Sequence, residues 1–340
     1  MAPPVSGFKL NANGVPDFDD LPLRKSDPRL AAWGLYGDKD ELGTLNRLTD
    51  KRVAAAAAGE IKSGKRISMN WPLDAQPSRA FFGRQVFHQE ILNKAPACVN
   101  DDTWSFNSQV TSQWDGLRHY GYQNEKLFYN GVSQKDIHAV DEKGCKASVN
   151  GIQAWAEQGI VGRGVLIDWE GWRQSPEGQA QSKVKNYDSF ETTVIPLEDL
   201  QACLKAQGTE LKFGDIMIVR SGFMANLSKK TSDEIWACKD VVPHHFGGIE
   251  QSTEMLRWIW DHFSAVAGDQ PSFEAWPTRA DYALHEVLLS GWGCPIGELF
   301  DLEKLAEHCR SVGRWSFFVS SEPCNVTGGV ASPPNILAIF

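Results

Sequence analysis

The chain has 340 residues, 42% of them hydrophobic and 23% charged, and a formal net charge of −9. That balance argues against nucleic acid as a partner, because phosphate binding needs clustered Lys and Arg. No apolar run reaches the ~18–20 residues of a membrane span, and seven cysteines without a CxxC pair signal neither a disulfide framework nor a zinc knuckle.

Reduced thiols, and an N-terminus (Met1-Ala2-Pro3-Pro4) without a charged segment leading into an apolar run, make a cytoplasmic protein the expectation. Residues 1–30 are rich in Pro, Asp and Gly and read as an extended arm. Residues 31–340 show no linker-like change of composition and read as one domain.

In chain order, Trp33 to Asn46 alternates aromatic and turn residues, as an ordered loop does. Thr49 is placed to cap a helix over about 50–59. Strands are expected over 64–71 and 86–92, followed by a polar stretch at 109–119 and an aromatic loop at 126–131. A short helix at 152–158 precedes a glycine-led apolar strand at 162–169. A helix over 197–207 ends near Gly208. The strongest buried strand covers 213–222. An amphipathic helix over 251–263 feeds a short strand at 265–269 that ends on Asp269. Helices are expected over 282–289 and 299–309, and a late strand over 317–320. Strands and helices alternate in the second half while the first half lacks crossover helices. The pattern predicts an α/β fold with a mixed sheet.

The chemistry concentrates in Gln109-Val110-Thr111-Ser112-Gln113-Trp114-Asp115-Gly116-Leu117-Arg118-His119. In an extended strand Gln109, Thr111, Gln113, Asp115 and His119 would share one face. Such a row, turned inward, needs partners, because each unpaired buried polar group costs roughly 1–3 kcal/mol. A metal or a bound substrate would supply them; a surface strand would leave the row in water. Elsewhere, no GxSxG elbow, P-loop or HExxH is present, and Gly162-Arg163-Gly164 precedes its strand, which is wrong for a dinucleotide site. His285 and Glu298 lie far downstream, separated by Gly291, Gly293, Pro295 and Gly297, and so come from separate elements that could converge on Asp115 and His119. A site with Asp, Glu and His ligands suits Zn²⁺, Mn²⁺ or Fe²⁺. His88, His244 and His245 read as structural or exposed.

The polar stretch resembles the HxGTHxDxPxH signature of the cyclase family, which includes bacterial kynurenine formamidase and isatin hydrolase. Further segments resemble the larger members in order: Trp33-Gly34, Gly43-Thr44-Leu45-Asn46-Arg47-Leu48-Thr49, Tyr129-Asn130-Gly131, Phe213-Gly214-Asp215, His285-Glu286-Val287-Leu288-Leu289, Ile296-Gly297-Glu298 and Gly328-Gly329. The resemblance implies a mixed β-sheet core with flanking helices, of the swivelling β/β/α type, assembled as a homodimer or homotetramer. It implies metal ligands at Asp115, His285 and Glu298, and a general acid/base at His119.

Two signature histidines are replaced here, by Gln109 and Gln113. An amide offers one neutral oxygen, a weaker ligand than imidazole. The expectation is therefore a single divalent ion, Mn²⁺ or Zn²⁺, on Asp115, His285 and Glu298, with Gln113 beside it and Gln109 turned to substrate. Trp33, Trp114, Tyr120, Phe128 and Tyr129 are the candidates for an aromatic wall around a small cyclic or aromatic substrate. The activity implied is hydrolysis of an amide, lactam or lactone. A polyketide-type cyclase or dehydratase, and a binding protein without turnover, stand beside it.

Overall fold

Three apolar runs, expected at 162–169, 213–222 and 265–269, form the centre of the molecule. The computed structural model describes residues 7–340. In chain order the strands are β1 (Arg66–Ser68), β2 (His88–Asn93), β3 (Asn100–Ser105), β4 (Gln113–Asp115), β5 (Ile160–Ile167), β6 (Val194–Ile195) and β7 (Asp215–Val219). Then follow β8 (Gly248–Ile249), β9 (Phe263–Gly268), β10 (Ile296–Glu298), β11 (Ser316–Ser321), β12 (Ala331–Ser332) and β13 (Ile336–Ile339). Nine of them make one sheet in the order β1-β13-β11-β5-β7-β9-β10-β4-β12. β5, β7, β9 and β10 are parallel and the flanks antiparallel, so the sheet is mixed.

The central strands are buried on both faces, as a parallel core requires. Val165, Ile167, Met217, Val219 and Val266 face one layer, which includes Leu200, Leu204, Leu256 and Ile259 from helices Leu197–Ala206 and Thr253–His262. Leu166, Ile216, Ile218, Ala265 and Ala267 face the other, with Leu305, Ala306 and Cys309 of helix Glu303–Val312. The α/β architecture expected from the alternation of elements is thus the one observed. The helix expected at 50–59 spans Asp50–Glu60, and the Thr49 side chain accepts a hydrogen bond from Arg52 N.

Three expectations are corrected. The strand expected at 86–92 does not join the main sheet. β2 pairs only with β3, in a hairpin whose residues are almost all exposed. The helix expected over 282–289 widens into a π-helix over Glu286–Gly291. At its end, a Cβ on Gly291 would stand 2.5 Å from the Tyr122 hydroxyl. The polar stretch is not one strand: only Gln113–Asp115 is extended.

Of the segment expected as an arm, residues 1–6 lie outside the described residues. From residue 7 onward the chain lies on the body, with Val15, Phe18 and Leu21 buried against the first apolar layer. The Trp260 indole donates to Pro16 O at 2.9 Å. Among the described residues, no helix is long and apolar enough to cross a membrane.

Candidate active site

The short antiparallel pairing of β4 with β10 sets Gln113 opposite Glu298 and Asp115 opposite Ile296. Alternation along β4 puts Gln113 and Asp115 on one face and Trp114 on the other. Trp114 is fully buried against Phe300, ring centres 5.2 Å apart, and its indole donates to Ser321 Oγ. Gln109 and His119 are brought in by turns at either end. Val110 N donates to Asn107 O before the strand, and His119 N donates to Gly116 O after it. Gly116 ends the strand where a Cβ would stand 2.7 Å from Val330 O.

His285 enters from the first turn of the helix that widens into the π-helix. Its Nδ1 bonds Glu274 Oε2 at 2.7 Å, and its backbone N donates to Glu274 Oε1 at 3.2 Å. Glu274 therefore holds one ring nitrogen and leaves Nε2 turned inward, 3.2 Å from Glu298 Oε1 and 3.9 Å from Asp115 Oδ2. His119 Nε2 stands 3.8 Å from the same Asp115 oxygen.

Each carboxylate has one oxygen covered by an amide. Gln109 Nε2 donates to Asp115 Oδ1 at 2.6 Å, and Gln113 Nε2 donates to Glu298 Oε2 at 2.8 Å. Glu298 Oε1 also accepts from Phe273 N at 3.0 Å. Asp115 Oδ2 and Gln113 Oε1 are buried with no hydrogen-bond partner.

Burial sets the protonation states. It pushes the His119 imidazole down to about 4, with Asp115 only partly opposing, so His119 is neutral near pH 7. It pushes the Glu298 carboxyl up to about 7, helped by the negative Asp115. For His285 burial disfavours the charged form, but Glu274 and Glu298 outweigh it and the pKa rises well above the ordinary value.

Donor chemistry and geometry both fit a divalent cation. Asp115, His119 and His285 present donor atoms all within 4.8 Å of one another. A buried carboxylate oxygen without a partner costs free energy unless a cation or donor meets it. His285 is anchored by a carboxylate behind it, the arrangement that fixes a metal-binding imidazole. His119 has no such anchor. Both its ring nitrogens lie 3.2–3.3 Å from Gln109 Nε2.

Above this floor opens a cavity of about 200 Å³ walled by Phe82, Arg84, Tyr120, Ser272, Trp276 and Ala283, with His119, His285, Glu274 and Glu298 at its base. The structure thus brings together Gln109, Gln113, Asp115, His119, Tyr120, His285 and Glu298. It does not bring Trp33, Trp114, Phe128 or Tyr129 to the cavity. The Trp33 indole donates to Ser290 O and the Tyr129 hydroxyl to Asp40, and all four are core residues. Sequence reasoning missed Glu274, Arg84, Phe82 and Trp276. Only Glu274 had a usable signal: it follows the carboxyl end of β9, where ligand sites gather in parallel sheets. Asp269, which ends that strand, instead accepts from the backbone N of Ser221 and Gly222.

Residues 44–275 match the family described as "Putative cyclase". The chain belongs to the cyclase family. A solved structure described as a novel cyclase is 28% identical, with a TM-score of 0.77 over 91% of this chain and 99% of that one. Isatin hydrolase A from Ralstonia solanacearum is 15% identical, with a TM-score of 0.55 over 85% of this chain and 97% of that one. Isatin hydrolase A from Labrenzia aggregata, bound to benzyl benzoate, is 15% identical, with a TM-score of 0.54 over 87% and 98%. At that identity the two hydrolases share the fold of this cyclase-family chain. No curated protein matches it.

Proposed function

We propose that this cyclase-family chain is a metal-dependent hydrolase that opens an amide, lactam or lactone bond in a small cyclic or aromatic substrate. The observation that carries the reading is the unpartnered Asp115 Oδ2. It is fully buried, 3.8 Å and 3.9 Å from the imidazole nitrogens of His119 and His285, two residues that line the cavity. Asp115, His285 and Glu298 would hold one divalent ion, Mn²⁺ or Zn²⁺, with the free Gln113 Oε1 beside them. When bound, such an ion polarises a carbonyl and lowers the pKa of water.

The remaining work falls to the protein. Tyr120 and Trp276 give the substrate ring an apolar wall and exclude bulk water. His119, neutral at pH 7 and free of any carboxylate anchor, takes a proton from the attacking water. It returns that proton to the leaving nitrogen or oxygen as the bond to the carbonyl carbon breaks. Gln109, bonded to Asp115 and beside both His119 nitrogens, keeps the ring next to the carboxylate. We further propose that the chain works in the cytoplasm as a homo-oligomer on a small-molecule substrate.

The test is a metal-supplemented screen of small lactones, lactams and aryl amides read by mass, beside metal analysis of the purified protein. Hydrolysis adds one water to the substrate. A product of unchanged mass, or one lighter by a water, would move the reading to a cyclase or dehydratase. One observation favours a binding protein without turnover: amide N–H groups already cover one oxygen of each carboxylate. Tight ligand binding with no product under any divalent metal would establish that alternative.

A further inference from the structure

The cavity wall holds one permanent cation. Of the residues lining it, only Arg84 carries a guanidinium or ammonium group. Arg84 follows the turn Phe81–Gly83, in which Phe82 takes a left-handed backbone, φ 59°. That turn sets the Arg84 guanidinium 5.1 Å from the centre of the Phe82 ring. Arg84 Nη1 donates to Gln109 O at 2.7 Å, which ties the side chain to the stretch that carries Asp115 and His119.

A guanidinium has five N–H donors in a planar fork. Several other partly buried arginines use theirs on carboxylates, and Arg118 uses its own on three backbone carbonyls. Arg163 grips Glu60 and Asp215, Arg173 grips Glu170, and Arg220 grips Asp168 and Glu303. Arg84 has only the Gln109 carbonyl. The acidic groups of the same cavity are engaged elsewhere: Glu274 with His285, and Glu298 with Gln113, Phe273 N and His285. Arg84 is therefore a half-buried cation with a single hydrogen bond, facing a cavity whose carboxylates are bonded to other groups.

The rest of the wall points to a flat ligand. Phe82 and Trp276 meet edge to face, 6.4 Å between centres, and Tyr120 stands opposite beside His285, 5.5 Å away. At about 200 Å³ the cavity is smaller than the ~300–1,000 Å³ of drug-sized sites, so the ligand is small.

We propose that Arg84 is a specificity-determining residue, and that the substrate is a small flat ring bearing a carboxylate, which the Arg84 fork receives while the ring lies among Phe82, Tyr120 and Trp276. This rests on the hydrolase reading for the word substrate; the anion site itself does not.

The test measures binding of benzoate and of benzamide, its neutral isostere, to the full chain by calorimetry. Both ligands are titrated into metal-loaded and into chelator-treated protein, so that a metal ion cannot stand in as the anion's partner. The wild type should prefer benzoate by roughly tenfold or more in both states, as charge-assisted bidentate pairing predicts. Arg84→Met should bind the two ligands alike, and Arg84→Lys should keep part of the preference, since a point charge lacks the fork. Unfolding midpoints of the variants check that the fold survives. Equal binding of both ligands by the wild type overturns the proposal. So does a preference that persists in Arg84→Met, or one confined to the metal-loaded protein. A benzoate preference lost in Arg84→Met, alongside a substrate screen that yields no product, would sink the hydrolase reading and leave the anion site standing.

Discussion

His119 and His285 both approach one carboxylate oxygen, and their surroundings set them to different tasks. His285 has Glu274 behind it and is a fixed donor; His119 has no carboxylate behind it and is depressed by burial to about 4. A lowered pKa keeps the imidazole in its basic form at every pH above that value. The acid limb of kcat/KM should therefore be centred nearer 4 than the ordinary 6.5. His119→Ala should cut turnover by about 10²–10⁴-fold. A limb at 6.5, or turnover unchanged in the variant, would remove His119 from the proton transfer. Glu274→Gln keeps the shape behind His285 and removes the charge. We expect it to weaken Mn²⁺ binding by roughly 10–100-fold, read by calorimetry, with the unfolding midpoint little changed. Equal affinity in variant and wild type would show that Glu274 only fills space. At this scale sequence reading found Asp115, His119, His285, Glu298 and both glutamines. It missed Glu274, whose place after the carboxyl end of β9 was the one available signal, and it could not find Arg84, because a cavity-facing guanidinium is defined by its neighbours.

Among the elements, β10 is the one that positions Glu298, and its middle residue leaves no room for a side chain. A Cβ on Gly297 would stand 2.6 Å from Ala267 Cβ, 2.7 Å from the Phe300 ring and 3.0 Å from the Trp114 ring. Gly297→Ala should therefore cost about 1–3 kcal/mol in urea unfolding, because neighbours on β9 and β4 must give way. It should also weaken metal binding, since Glu298 moves with the strand. Stability within a few tenths of a kcal/mol of wild type would refute the close packing. The hairpin of β2 and β3 raises a different question. An isolated two-stranded hairpin is marginal in water, yet this one exposes Ile91 and Trp104 at 67% and 59%. Among the described residues, the Trp104 ring meets the edge of Phe87, which in turn meets Phe106. If the hairpin is a contact between copies, Trp104→Asp should lower the mass measured by light scattering to that of a monomer. An oligomer that persists in the variant would place the contact elsewhere. Elements with long apolar patterns were legible beforehand, notably Asp50–Glu60, Leu197–Ala206, β7 and Thr253–His262. The π-helix and the hairpin were not, since both depend on what packs, or does not pack, beside them.

Over the whole molecule, the two apolar layers that bury β5, β7 and β9 leave the polar floor of the site at the β10–β4 side of the sheet. A ligand that binds only the folded state stabilises it by RT ln(1 + [L]/Kd), about 2.7 kcal/mol at a hundredfold excess over Kd. Added Mn²⁺ or Zn²⁺ should thus raise the thermal midpoint of chelator-treated protein by several degrees, and Asp115→Ala should abolish the rise. A midpoint indifferent to both ions would sink the metal assignment.

The sequence by itself determined the fold class, the family and the half of the site carried on local motifs. Apolar periodicity, capping residues and ordered motif spacing are properties of neighbouring residues, and a chain displays them unfolded. Tertiary structure alone decided the rest. It confined the polar stretch to a three-residue strand between two turns, set Gln113 across from Glu298, placed Glu274 behind His285, and sent Trp33, Trp114, Phe128 and Tyr129 to the core. Those outcomes depend on which surfaces are buried together. Burial lowers both His119 and His285, and it is the carboxylates of Glu274 and Glu298, brought into hydrogen-bond contact with His285 alone by the fold, that separate their pKa values.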